Sequence, residues 1–482
     1  MNTLGKKLIY SIVWSVFGRF GHMIISLISN IILAKLLSPY EFGQLGIVMF
    51  FILSFKILSE SGLAGALVRK ENVCEDDYGT VFISNLILSI FLYVLIFFAS
   101  SHIALYYDDP ILELILQVSG LILIFDSFRI VQNARLVREM NFKKQSVLIL
   151  ISVIISTIIG VVMAYYNMGV WALVAIQISL SVTQAFLFWF FVDRIPRYRF
   201  NMKSFKGLYS YGINTTLSSV LDVSFDNLYQ VVISRFFSIH QVGFFYQAKK
   251  LQEVPFNVLK FTIIGVVFSG LSKIQNQKII FIKSYNRILS VFTVLVGAVT
   301  LVLYLYSAEF INILYGEKWI QATFFMKILV LISFFYMQEV FNRILFKIYN
   351  ETHKILYLEL LKKFIQVITI VLGLYYESLQ LLMYGFLFTS IISSIINKYY
   401  SDKILEINTI RSLSSFLGVG VILVGIIISY SMFVNHFSIR NYNTFLLLPI
   451  VLICYFFLVK VFGLFSLKDD LVLLKSIIKN TN

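Results

Sequence analysis

The sequence predicts an all-α polytopic membrane protein with about 14 transmembrane helices. It predicts two six-helix lobes related by a parallel repeat, followed by two C-terminal helices. Three observations lead there. Hydrophobic residues fill 59% of 482 positions and charged residues only 13%, with a mean hydropathy of +0.85. Soluble domains carry roughly 25% charged residues. Apolar runs long enough to cross about 30 Å of hydrocarbon recur along the whole chain. The chain also resembles itself at an offset of 200 residues.

The first span, 9–34, follows Lys6 and Lys7. Its apolar stretch is too long for a signal-peptide core and lacks a small-residue cleavage site, so it is expected to stay. Spans 43–66, 79–101, 111–133, 146–166 and 170–192 complete an N-lobe over 1–200, helices 1–6. Spans 208–236, 243–270, 286–306, 323–346, 355–375 and 379–398 make a C-lobe over 201–405, helices 7–12. Spans 412–433 and 444–463, helices 13–14, occupy 406–465 and fall outside the repeat. In the tail 466–482, Leu467, Leu471, Leu474 and Ile478 recur at helical spacing, with Lys468, Lys475 and Lys479 elsewhere. Such an amphipathic tail is expected to lie on the cytoplasmic membrane surface.

The net charge of +15 does not imply nucleic acid, because the basic residues sit in short loops on alternate sides of the spans. With the N-terminus inside, Arg69, Lys70, Arg135, Arg138, Lys143, Lys144, Arg194, Arg197 and Arg199 all face the cytoplasm, and the opposite loops hold few cations. Both termini are therefore expected to be cytoplasmic. Two cysteines, Cys74 and Cys454, form no disulfide framework, and no metal-ligand spacing occurs.

The repeat is read from NIILAKLLSPYEFG, Asn30 to Gly43, against QVVISRFFSIHQVG, Gln230 to Gly243. Asn30 aligns with Gln230, Lys35 with Arg235, Ser38 with Ser238 and Gly43 with Gly243, without a gap. An offset spanning six helices keeps the two copies in one orientation, which places their axis along the membrane normal.

Ionisable groups inside a span are costly and mark candidate paths. In helix 7, Asn214, Ser218, Asp222, Asp226 and Gln230 recur every four residues. In helix 1, Ser11, Ser15, Arg19, His22, Ser26 and Asn30 form the counterpart, with His22 at the position equivalent to Asp222. Stripes of this length suit the walls of a hydrated cavity. Arg19 has no acidic partner in its own helix, and Lys250 and Lys260 lack an acid at i±4, so all three are candidate anion contacts. A cross-lobe salt bridge between Arg19 and Asp222 or Asp226 is the rival reading. Lys56 and Glu60, Lys249 and Glu253, and Glu339 and Arg343 are i,i+4 pairs, and Asp126 and Arg129 are i,i+3. These read as gating or purely structural ion pairs. Pro255 is expected to kink helix 8. Asp108 and Asp109, before Pro110, read as a turn more readily than as an acidic catalytic loop.

Several stretches carry a family likeness. They are LLSPYEFG (Leu36 to Gly43), SGLAGALVRK (Ser61 to Lys70), VREMNFK (Val137 to Lys143) and GVWALV (Gly169 to Val174). In the second half they are SYG (Ser210 to Gly212), VGFFYQAKKLQEVP (Val242 to Pro255) and LYGEKW (Leu314 to Trp319). Taken in order, they resemble the polysaccharide transporter family, the Wzx-type flippases of the multidrug/oligosaccharidyl-lipid/polysaccharide exporter superfamily. The branch resembled is that of lipopolysaccharide, colanic-acid and teichuronic-acid export. Ser269 departs from the pattern, which usually has proline there.

The resemblance implies a bacterial inner-membrane flippase, not an enzyme. Its cargo would be a polyprenyl-diphosphate-linked oligosaccharide unit for O-antigen, capsule or exopolysaccharide, moved by alternating access. It implies no cofactor beyond a coupling H+ or Na+, and as partners the lipid-linked oligosaccharide, membrane lipid, a polysaccharide polymerase and a chain-length regulator. In that reading Arg19, with Lys250 or Lys260, meets the diphosphate, while Asp222 and Asp226 meet sugar hydroxyls or the cation. A cation-coupled drug antiporter on the same fold is the alternative, and a membrane polymerase or glycosyltransferase is the rival of another class.

Overall fold

The computed structural model describes residues 3–60, 62–192, 199–436 and 445–464. Side chains are described from residue 10 onward, except those of 210–215, 217, 218, 222, 262, 264, 266, 352 and 409–415. All regular structure among the described residues is helical. The chain forms two compact units, Met1–Tyr246 and Gln247–Asn482.

The first unit holds α1 (Thr3–Leu36), α2 (Pro39–Glu60), α3 (Leu63–Arg69), α4 (Glu75–Tyr107) and α5 (Ile111–Arg138). It continues with α6 (Phe142–Tyr165), α7 (Val170–Phe191), α8 (Met202–Phe236) and the start of α9 (Ile239–Thr262). α4 packs on α5, α6 on α7 and α1 on α6, while α8 packs chiefly on α2. Its core is built from Ile47, Val48, Ile52, Leu112, Ile115, Leu116 and Leu123. This packing division falls at Tyr246, beyond the end of the first sequence repeat at residue 200, because α8 is seated on α2, α3 and α4.

The turn into α2 follows from its sequence. Pro39 occupies the first helical position, where its missing N–H costs nothing. The backbone N–H of Ser38 donates to Glu41 Oε2 at 2.6 Å and its hydroxyl donates to the same oxygen at 2.9 Å. This is the carboxylate half of an S-x-x-E capping box. In the repeated turn, the Gln241 N–H donates to Ser238 Oγ at 3.2 Å. Gly62, at φ 61, separates α2 from α3, so the span expected over 43–66 is two helices. That φ is left-handed and suits glycine.

The second unit begins within α9, which runs unbroken through Pro255 to Thr262. The irregularity expected at the proline comes later, as a π-helical turn over Ile263–Val267 leading into α10 (Phe268–Lys273). Such turns relax an α-helix by one residue without breaking its ladder. Then follow α11 (Lys278–Leu305), α12 (Ser307–Leu314), α13 (Ala322–Ile348), α14 (Thr352–Tyr375) and α15 (Leu379–Leu405). The last are α16 (Thr409–His436) and α17 (Leu448–Val461). α13 and α14 both pack on α15, and α11 packs on α13 and α16.

Among the described residues each of the fourteen expected spans overlaps helix, and ten helices are long and apolar enough to cross a membrane. The long helices outside that set, α8, α9 and α14, are the ones carrying polar or charged residues at intervals along their length. Burial of polar side chains within a bundle relieves the cost that lipid exposure would impose. The fold is that of a multi-pass α-helical membrane protein. The amphipathic segment 466–482 lies outside the described residues.

Candidate functional site

Within the first unit, α1 is seated on α6 through small groups. Ser11 Oγ donates to the carbonyl of Met140 at 2.9 Å, and Ser146 Oγ donates to that of Trp14 at 2.9 Å. A Cβ on Gly18 would lie 2.2 Å from Ser146 Oγ, so glycine sets the approach of the two helices. Ser11 therefore belongs to the packing seam. Further along, Arg19 is exposed, and His22 and Asn30 are half-buried.

On α8, Asp226 is exposed while Gln230 is buried and donates to Asn227 Oδ1 at 3.2 Å. Steps of four residues advance about 40° around a helix of 3.6 residues per turn. The stripe therefore winds around α8 and does not stay on one face, and its Gln230 end turns into the packing against α2, beside Gly46. The side chains of Asn214, Ser218 and Asp222 lie outside the described residues.

A buried charge cluster ties α2, α5 and α7. Asp126, 2% exposed, makes an ion pair with Lys56, lies 3.9 Å from Arg129 and accepts from Ser181 Oγ at 2.5 Å. The sequence suggested Lys56 with Glu60, one turn along α2. The structure turns Lys56 across to α5 because a carboxylate removed from water needs a counter-charge more than a half-buried one does.

Asp109 accepts from Tyr40 Oη at 2.9 Å and from Gln44 Nε2 at 2.6 Å, and Asp108 faces Arg235 at 3.4 Å. Arg235 also lies 4.5 Å from the Tyr106 ring centroid. Both carboxylates are thus engaged in tying the turn down, in keeping with the turn reading.

In the second unit, Glu253 is 4.0 Å from Lys250, at i,i+3, so Lys250 does have an acid nearby that the i,i+4 rule overlooked. Lys260 Nζ donates to Tyr336 Oη at 3.0 Å. The expected pair of Glu339 and Arg343 is present and is part of a larger network. Arg343 also contacts Glu359, Lys362 lies 3.1 Å from Glu339, and Lys363 lies 4.0 Å from Glu359. Lys398 and Asp402, 2.5 Å apart, make a further buried pair on α15. Sequence reasoning missed Glu359, Lys362, Lys363, Lys398 and Asp402. The i,i+4 spacing of Glu359 with Lys363 and of Lys398 with Asp402 was there to be read.

Residues 32–324, more than half of the chain, match the family described as polysaccharide biosynthesis protein. The chain belongs to that family. The succinoglycan biosynthesis transport protein ExoT of Rhizobium meliloti (strain 1021) is 24% identical over 318 residues, covering 66% of this chain and 64% of the relative. The lipopolysaccharide biosynthesis protein WzxC of Escherichia coli (strain K12) is 23% identical over 320 residues, covering 66% of this chain and 65% of the relative. The chain thus spans slightly under two thirds of the length of these relatives. Among solved structures, the lipid II flippase MurJ in an inward closed conformation superimposes with a TM-score of 0.72 at 16% identity. That match covers 94% of this chain and 98% of MurJ, and at such identity it establishes the fold alone.

Proposed function

We propose that this chain is a flippase that carries polyprenyl-diphosphate-linked oligosaccharide units from the inner to the outer leaflet of a bacterial cytoplasmic membrane, with both termini in the cytoplasm. One observation carries the reading: a member of this family carries an arginine, Arg19, at an exposed position on α1, a helix long and apolar enough to cross the bilayer. A charge in such a place is costly unless it faces water, a ligand or a counter-charge, and each of these marks a polar path. A glycan head group cannot cross hydrocarbon unaided, because its hydroxyls would lose their hydrogen bonds to water. A wet, charged path resolves that problem while the lipid tail stays in the bilayer. The sequence repeats, 1–200 and 201–405, serve as the alternating lobes. Arg19 meets the diphosphate, and Asp222 and Asp226 meet sugar hydroxyls or a coupling cation. The likeness to transport proteins favours a carrier that leaves its cargo chemically unchanged.

The test is surface polysaccharide in a strain lacking this chain, complemented with wild-type or Arg19→Ala protein. Loss of polysaccharide without the chain, restored by wild type but not by Arg19→Ala at equal membrane abundance, is expected. Unchanged polysaccharide in the deletion strain would overturn the export reading.

A further inference from the structure

We infer that α6 and α7 form a binding site for one anionic phospholipid, its phosphate met by Lys143 and Lys144 and an acyl chain lying along α6. Where α6 begins and α7 stops, the two helices share a cavity of about 380 Å³. That size lies within the usual range of ligand sites, roughly 300–1,000 Å³. Lys143, Lys144, Val147 and Ile151 of α6 line it with Leu187 and Phe191 of α7. Its inner surface is almost wholly apolar, so the two lysines give it their methylene stems and hold their ammonium groups outside it. Lys143 Nζ lies 5.5 Å from the centroid of the Trp14 ring on α1, a cation–π contact that restrains this ammonium.

The chemistry of the occupant follows from depth. Both helices are long and apolar enough to cross a membrane, so their shared end lies at headgroup level, where lysine and tryptophan settle. Water in an apolar trough finds no polar partner, and hydrocarbon fills it better. The trough continues along α6, where Val147, Ile151, Ile154 and Ile158 are all exposed and recur at steps of three or four residues on one face. Over the eleven residues from Val147 to Ile158 the helix rises about 16 Å. That is close to half of the roughly 30 Å of hydrocarbon in a bilayer. The track thus matches one acyl chain confined to one leaflet. At its head, two adjacent cations favour a headgroup of net negative charge over a zwitterionic one, whose own ammonium would meet theirs. A phosphate diester on a diacylglycerol, as in phosphatidylglycerol, supplies both parts. The leaflet it occupies follows from the orientation proposed above; the site itself does not depend on it.

The experiment is native mass spectrometry of the full chain in detergent, with phosphatidylglycerol and phosphatidylcholine of the same acyl chains as probes. Wild type is expected to bind phosphatidylglycerol the more tightly, and Lys143→Gln with Lys144→Gln to erase that preference by about fivefold for each lysine. Val147→Trp keeps both cations and fills the trough from an exposed position, so it is expected to weaken both lipids alike. Lys203→Gln with Lys206→Gln removes as much charge from α8, away from the cavity lining, and is expected to bind as wild type. An unchanged preference in the folded Lys143→Gln, Lys144→Gln variant overturns the site, and so does unchanged binding by folded Val147→Trp. An equal loss in the Lys203→Gln, Lys206→Gln variant overturns it in favour of general surface charge. Polyprenyl diphosphate that displaces phosphatidylglycerol at a lower concentration than phosphatidylglycerol itself overturns the phospholipid assignment. None of these outcomes reads surface polysaccharide, so this site and the export reading fail independently.

Discussion

Gly43 sits directly against the backbone carbonyl of Ile239: a Cβ at Gly43 would lie 2.0 Å from that oxygen. The reciprocal holds one repeat on, where a Cβ at Gly243 would lie 1.8 Å from the carbonyl oxygen of Pro39. Positions 39 and 239, and 43 and 243, are equivalents under the 200-residue offset. Residue i touching j' while j touches i' is the signature of a two-fold relation between like copies. The Tyr40 and His240 rings, also equivalents, meet with centroids 5.1 Å apart. The S-P-Y-E-F-G and S-I-H-Q-V-G turns were therefore legible in the sequence as a repeat, and the structure shows why each ends in glycine.

Neither carbonyl can yield as a side-chain tip would. Gly43→Ala and Gly243→Ala are each expected to destabilise the protein by about 1–3 kcal/mol, as overpacking does. Gly65→Ala on α3, where nothing lies within 4 Å, should be neutral or mildly stabilising. Thermal denaturation of the purified variants in detergent checks both. Equal melting of Gly43→Ala and Gly65→Ala would contradict the close approach.

The Asp126 cluster makes a contrast between two lysine partners. Asp126→Asn leaves Lys56 and Arg129 beside a neutral group and is expected to cost about 3–5 kcal/mol, as removal of one member of a buried pair does. Ser181→Ala, which removes one hydrogen bond to the carboxylate, should cost about 1.5–3 kcal/mol. Glu60→Gln should be silent. A destabilised Glu60→Gln with a silent Asp126→Asn would restore the pairing within α2.

These outcomes mark how far a sequence can be read. Helices were legible because hydropathy is local, and so were the partners that one helix brings together, such as Glu339 with Arg343. Cross-helix partners are set by which faces pack. Lys56 with Asp126, 70 positions apart in sequence, and Lys362 with Glu339 carry no signal in spacing. The winding of the α8 stripe was in principle computable from its four-residue step. The π-turn after Thr262 was not, since no residue there forces it as a proline would.

Asp109 tests the enzyme rival. Its hydrogen bonds to Tyr40 and Gln44 make it part of the turn that holds α2 against α5. Asp109→Asn keeps the shape but weakens two charge-assisted bonds, and is expected to lower the melting temperature while leaving polysaccharide output intact. Tyr40→Phe should do the same to a smaller degree, by about 1 kcal/mol. Abolished output in a protein of normal abundance and melting temperature would point to chemistry at this carboxylate.

The Lys398–Asp402 pair separates structure from transport most cleanly. Both side chains are nearly sealed, 6% and 0% exposed, and they sit one turn apart on the same helix. Lys398 also lies 5.6 Å from the centroid of the Tyr285 ring, whose hydroxyl donates to Asn342 at 2.7 Å. Asp402→Asn strands a buried ammonium and is expected to cost about 3–5 kcal/mol. Lys398→Met with Asp402→Leu removes both charges in similar volume, and replacing a whole buried pair is commonly neutral or stabilising by about 1–4 kcal/mol. A structural pair predicts that the double variant melts near wild type and still supports surface polysaccharide. A stable double variant that has lost export would instead place this pair among the groups that charge and discharge during the transport cycle.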